Sequence, residues 1–270
     1  MSSATLELRT FKAPRADIHL IEGGSGPDLL FLHGAGGIAA DNPFLAALAE
    51  KYHVYAPLLP GFGDSDECEN IRTMLDFTLH THDVMMALNL DKPIVVGHSM
   101  GGMIAAEMAA VIPKDVDKLC LISAAGLWLD EHPIPDVFAK MPYELPELMF
   151  HDPVAGGEMM TAGADFSDPA FLQAFLVQNA RQLGMAGKIL FPIPERGLSE
   201  RLYRLQAKTL LIWGESDKLI AMPYAQAFNK AIAGSELITI PEAGHMVMVE
   251  QTAAVVAAIG KFASLAAQNK

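Results

Sequence analysis

Short apolar runs alternate along this chain with longer helix-like stretches, and that alternation leaves few folds open. "DLLFLHG" (28–34) precedes a helical stretch near 43–50, and "HVYAP" (53–57) precedes a long amphipathic segment, 71–90. "PIVVG" (93–97) leads into 99–112, and "KLCLIS" (118–123) follows. Continuous apolar strands separated by helices predict a parallel sheet covered on both faces, that is, an α/β fold. The opening "LELRTF" and "ADIHLIE" segments alternate and fit an antiparallel hairpin at the sheet edge.

The pattern stops between 127 and about 205, a stretch rich in Pro, Met and Phe with no strand-like run of useful length. It returns with "KTLLIW" from 208, a helix over 223–233, "ELITIP", and a last helix from about 250 to 267. One α/β domain carrying a helical insertion is the economical reading. Its core then spans 1–126 and 206–270, and a helical cap spans 127–205.

Composition narrows the partners. Half of the 270 residues are apolar, enough for a sizeable core. The formal net charge of -13 argues against nucleic acid and an anionic membrane and favours a small-molecule substrate. A homodimer is left open. The two cysteines, Cys68 and Cys120, do not suggest a disulfide scaffold, and Cys120 reads as a buried, inert thiol. "MSSATLELRT" lacks the basic-then-apolar design of a signal peptide, so a cytoplasmic location is expected.

Chemistry enters at "GHSMGG" (97–102), set between an apolar strand and an apolar helix. G-x-S-x-G in that setting describes a turn tight enough to strain the serine backbone and lift its hydroxyl clear of the sheet. Side chains at Gly97 and Gly101 are expected to collide across the turn. Ser99 also opens a helix, where free N–H groups and the dipole favour negative charge. A hydroxyl needs a base and an acid to become a nucleophile. "LLIWGESDKLI" puts Asp217 just past one strand, with Glu215 nearby as a competitor, and "ITIPEAGHMVMVE" puts His245 just past the next. A loop able to receive an oxyanion follows the first parallel strand as "HGAGG" (33–37). The N–H of Met100 paired with that of Ala35, or alternatively Gly36, would make a two-donor hole.

The set "HGAGG", "PGFGDS" (60–65), "GHSMGG", "WGESD" (213–217) and "GHMVMVE" (244–250) resembles the α/β-hydrolase superfamily over nearly the whole chain. The chain order Ser99, Asp217, His245 is that of this family. It is most similar to small capped bacterial hydrolases, the esterases and the meta-cleavage-product carbon–carbon hydrolases. The resemblance implies a mostly parallel eight-stranded sheet with helices on both faces, a cap after the "CLIS" strand, and a triad needing no cofactor. Leu58 stands where the family often has an acid, and Pro223 rather than Ala221 carries the proline after the triad acid. His98 and Met246 stand where the carbon–carbon hydrolases often carry asparagine and tryptophan.

Other signals receive plainer readings. His33 is expected to brace the oxyanion loop, and His98 to pack beside the elbow. His80 and His82, two apart on a helix, face different ways and make no metal site. "GAGGIA" (34–39) matches a dinucleotide fingerprint, but no carboxylate follows the next strand, "YAPLLP", so no cofactor is expected. Met141, Phe150, Phe171, Phe175 and Met246 are the candidates for an apolar substrate wall. The leading expectation is an esterase acting on small, largely apolar substrates through an acyl-enzyme. The alternatives are a carbon–carbon hydrolase using Arg181, Lys188 or Arg196 for a carboxylate, and a ligand receptor that keeps the triad with little turnover.

Overall fold

The computed structural model describes residues 5–265. Eight strands form one sheet in the order β1-β2-β4-β3-β5-β6-β7-β8. β1 (Leu6–Lys12) and β2 (Asp17–Gly23) make the antiparallel edge hairpin, and β2 also runs antiparallel to β4 (His53–Pro57). The remaining pairings are parallel, through β3 (Asp28–Leu32), β5 (Ile94–His98), β6 (Lys118–Ile122), β7 (Lys208–Gly214) and β8 (Glu236–Ile240). Every residue of β5 is buried, which requires cover on both faces of the sheet. α1 (Pro43–Ala49) packs on α9 (Thr252–Ala263), and α2 (Met74–Ala87) packs on α3 (Met100–Val111).

Local chemistry fixes the helix starts. Thr73 and Asp76 form a capping box at α2, satisfying two otherwise orphaned N–H groups. Asn42-Pro43 opens α1 by the complementary device of a side-chain acceptor followed by a proline that has no N–H to lose.

Between β6 and β7 no strand forms. That segment holds α4 (Leu145–Met149), α5 (Pro153–Thr161) and α6 (Pro169–Leu190), and Asp152-Pro153 and Asp168-Pro169 open the last two in the manner of α1. The helix after β7 is α7 (Met222–Ala231), and the short α8 (Val247–Glu250) precedes α9. No helix among the described residues is long and apolar enough to cross a membrane. Cys68 and Cys120 are both buried and free, and burial pushes the Cys120 thiol far up from its ordinary range.

Candidate active site

Ser99 sits at the carboxyl end of β5 with φ 51° and ψ -115°, a backbone conformation that costs roughly 1–3 kcal/mol. Hydrogen bonds hold it there from both sides. Its N–H donates to the Ile122 carbonyl at 3.0 Å, and its carbonyl accepts from Met103 at 3.1 Å and Ala125 at 3.0 Å. A methyl group at Gly97 would lie 2.5 Å from the Gly101 carbonyl oxygen, the expected collision across the turn. At Gly101 the obstacle is different: a methyl group there would lie 2.1 Å from the Leu32 carbonyl oxygen, on the neighbouring strand. Gly101 is therefore required by the approach of α3 to β3.

Asp217 and His245 come together from separate strand ends. The Nδ1 of His245 lies 3.0 Å from Asp217 Oδ2, both side chains being buried. The other carboxylate oxygen accepts from the N–H groups of Leu219 (3.0 Å) and Ile220 (2.8 Å). A carboxylate can only accept here, so Nδ1 carries the imidazole proton and Nε2 is left with a free lone pair. Glu215 is exposed and turned toward Thr239, away from this arrangement. Ser99 Oγ makes no hydrogen bond to His245 among the described residues. Contacts of this kind commonly tighten only when substrate is bound.

Several supports were not evident from the sequence. The His98 ring lies against that of His245, with centroids 5.0 Å apart, and His98 Nε2 is 3.0 Å from the His245 carbonyl. Trp213 donates to the Ile220 carbonyl at 2.7 Å and so pins the loop that carries Asp217. A methyl group at Gly214 would lie 2.2 Å from the Gly244 carbonyl oxygen, so the two loops touch backbone to backbone. Glu250 accepts from Gly244 and from His151 at 2.7 Å each, and Met246 donates to Met149 at 3.0 Å. The histidine loop is thus clasped to the inserted helices. The only sequence signal for Glu250 was a carboxylate placed five residues after the histidine.

The loop after β3 passes close to the elbow. A methyl group at Gly34 would lie 3.3 Å from the Ser99 Cβ, and Gly37 donates back to Gly34 at 3.0 Å, closing a tight turn. The N–H groups of Ala35 and Met100 have no hydrogen-bond partner among the described residues. His33 braces the loop: its Nδ1 lies 2.8 Å from the Gly34 carbonyl, and its Nε2 accepts from Leu59 at 3.1 Å. Burial lowers His33 to about 4 and His98 to about 3, so both rings are neutral at ordinary pH.

The apolar candidates scatter. Met141 is 55% exposed, whereas Phe150 is buried against Gly156. Phe171 and Phe175 pack on each other and on Phe166, and Met246 is half-buried. The three candidate cations are engaged with protein groups. Arg181 reaches the Gly63 and Ser65 carbonyls and Glu67, Lys188 the Ile71 carbonyl, and Arg196 the Ile189 carbonyl at 3.0 Å and that of Phe191. No cluster of potential metal ligands occurs among the described residues.

A doubly covered, mostly parallel eight-stranded sheet with a serine on a strained strand-to-helix turn defines a hydrolase of the α/β type. The chain belongs to the alpha/beta hydrolase family, whose model matches residues 29–258. It is 27% identical to Lipase 1 of Psychrobacter immobilis over 84% of this chain and 73% of that one. It is 28% identical to a 2-hydroxy-6-oxo-6-phenylhexa-2,4-dienoate hydrolase of Burkholderia cepacia over 84% of each chain. The meta-cleavage product hydrolase from Pseudomonas fluorescens IP01 shares the fold, with a TM-score of 0.77, 20% identity, and coverage of 94% of this chain and 96% of that one.

Proposed function

We propose that the protein hydrolyses carboxylic esters of small, largely apolar substrates through an acyl-enzyme on Ser99. The observation that carries this reading is the buried Asp217–His245 pair, 3.0 Å apart, with the second carboxylate oxygen fixed by two backbone N–H groups. His245 Nε2 takes the Ser99 proton as Oγ attacks the carbonyl, then gives it to the leaving alcohol. Asp217 balances the imidazolium charge. The N–H groups of Ala35 and Met100 receive the oxyanion, each worth roughly 10²–10³ in rate. The inserted helices, 127–205, serve as a cap, and the reaction needs no cofactor. Water then attacks the acyl-enzyme, with His245 again as base.

The lipase relative supports ester cleavage, while the Burkholderia cepacia relative favours a second reading, hydrolysis of a carbon–carbon bond in a vinylogous diketone. That substrate carries a carboxylate. Arg181, Lys188 and Arg196 are all bound to protein carbonyls, and this favours the ester. Turnover of p-nitrophenyl butyrate and of a ring-fission product should be assayed side by side, with fluorophosphonate labelling of Ser99. We expect stoichiometric labelling and ester turnover. Turnover of the ring-fission product alone reverses the ranking, and an unreactive Ser99 in folded protein points to a receptor.

A further inference from the structure

Asp217 and His245 each have two neighbours along the chain, and the stretch 147–151 of the inserted segment reaches all four. On the acid loop, Ser216 Oγ lies 2.8 Å from His151 Nδ1, and Lys218 Nζ lies 2.5 Å from Glu147 Oε1. On the histidine loop, Met246 donates to the Met149 carbonyl at 3.0 Å. Gly244 passes so close that a methyl group there would lie 2.7 Å from that same oxygen. Met149 ends α4, so its carbonyl lacks a partner within the helix and is free to accept from Met246. Glu250 adds a common acceptor, taking the N–H groups of Gly244 and His151 at 2.7 Å each.

Ser216 is the junction of these contacts. Its N–H donates to the Ala243 carbonyl at 2.8 Å, which ties its backbone to the histidine loop, while its hydroxyl is tied to His151. Lys218 and Glu147 are both exposed, and an ion pair of that kind holds little. The hold of the inserted segment on the acid loop therefore falls to His151 and Ser216. Phe150, buried against Gly156 of α5, makes the stretch continuous with the inserted helices.

We propose that His151 is a positioning residue: through Ser216 it sets the Asp217 loop against the His245 loop, so the inserted segment helps to build the acid–base pair. The inference rests on the proposed triad of Ser99, His245 and Asp217. His151 acts through Ser216 and not on the substrate. Its contribution is to keep Asp217 Oδ2 beside His245 Nδ1 while the proton moves between Ser99 Oγ and His245 Nε2.

The test uses His151→Ala, Ser216→Ala and the double variant. His151 is exposed and Ser216 half-buried, so these truncations leave the core intact. Two quantities are followed: kcat and KM for p-nitrophenyl butyrate, and the second-order rate at which a fluorophosphonate labels Ser99. Labelling reads the activation of Ser99 whichever bond the enzyme cleaves. Losing one positioning hydrogen bond corresponds to a fall in kcat of about three- to tenfold. KM stays within about twofold, because the bond serves the transition state and not binding. The labelling rate falls by the same factor as kcat. Both single variants remove the same bond, so the double variant is no slower than either. His151→Asn, whose amide reaches the place of Nδ1, recovers part of the loss, which a side chain that only filled space would not allow. Single variants with unaltered kcat and labelling rate, losses that multiply in the double variant, or an asparagine variant no better than alanine each overturn the positioning role. The proposed triad then still stands on the labelling of the unaltered protein. Labelling without ester turnover changes the substrate and leaves the labelling rates to decide the role of His151. A folded, unaltered protein that neither labels nor turns over the ester overturns the triad and the positioning role with it.

Discussion

His98 Nε2 lies 3.0 Å from the backbone carbonyl of His245. The carbonyl can only accept, so Nε2 bears the proton, and the residue before the proposed nucleophile holds the loop that carries the proposed base. In the proposed mechanism His98 positions His245, and burial, which lowers it to about 3, keeps it neutral. His98→Ala should reduce kcat by up to ~10²-fold with little change in KM, since misplacing a reacting group by about 1 Å costs that much. His98→Gln, which can still donate, should recover part of the loss. Equal kcat for the two variants would mean that His98 only fills space.

The strained backbone at Ser99 makes a second prediction about stability and activity together. Ser99→Ala should remove at least about three orders of magnitude in kcat on any ester. Ser99→Gly should be equally inactive yet more stable than Ser99→Ala by ~1 kcal/mol, because glycine adopts φ 51° without a Cβ penalty. Urea denaturation of the two variants measures the difference. A less stable glycine variant would show that the conformation is not strained.

Glu250 joins the histidine loop to the inserted helices through the N–H groups of Gly244 and His151. Glu250→Gln keeps the shape but loses the charge-assisted character of both bonds, each worth about 1.5–3 kcal/mol. The variant should melt earlier and show a lower kcat with His245 itself intact. Unchanged melting and kcat would show that the clasp is incidental.

The strands and the elbow were legible because they rest on local signals. "HVYAP" and "PIVVG" are continuous apolar runs, and the glycines of "GHSMGG" belong to a turn whose sterics are local at Gly97. Gly101 was misread in its cause, since its obstacle is Leu32, far away in sequence. The same reason hid the tie from His98 to His245, residues 147 positions apart that meet only because β5 and β8 end on the same edge of the sheet. Within 127–205 the Asp-Pro steps at 152–153 and 168–169 mark helix starts, yet the absence of a clean apolar period left the faces unassigned. Hence Met141 and Phe150 were grouped as one wall although one is exposed and the other buried.

Asp217 and Glu215 were rivals in sequence, and their surroundings now separate them. Asp217 is buried and bonded to His245, whereas Glu215 is exposed. Asp217→Asn presents an amide that can donate toward Nδ1, which favours the wrong imidazole tautomer and should cost on the order of 10⁴ in kcat. Glu215→Gln should stay within a few-fold of the unaltered enzyme. The reverse pattern would move the acid to Glu215.

Three buried histidines set how the fold responds to acid. Burial lowers His33 and His80 to about 4 and His98 to about 3, against about 6.5 in an unfolded chain. Between these values the unfolded chain binds more protons than the folded one, so stability is full above about pH 6.5 and falls as pH drops toward 4. With all three contributing, the slope reaches on the order of 4 kcal/mol per pH unit. Glu107 acts in the opposite sense, because burial raises its carboxyl and the folded state takes up that proton first. His80 isolates one histidine, since its Nδ1 is buried with no partner among the described residues and it lies outside the proposed triad. His80→Leu should therefore raise the urea midpoint at pH 7 or leave it unchanged, and flatten the fall between pH 6.5 and 4.5 by about one proton. A pH dependence of the midpoint identical to that of the unaltered protein would mean that His80 is charged, or solvated, in the folded state.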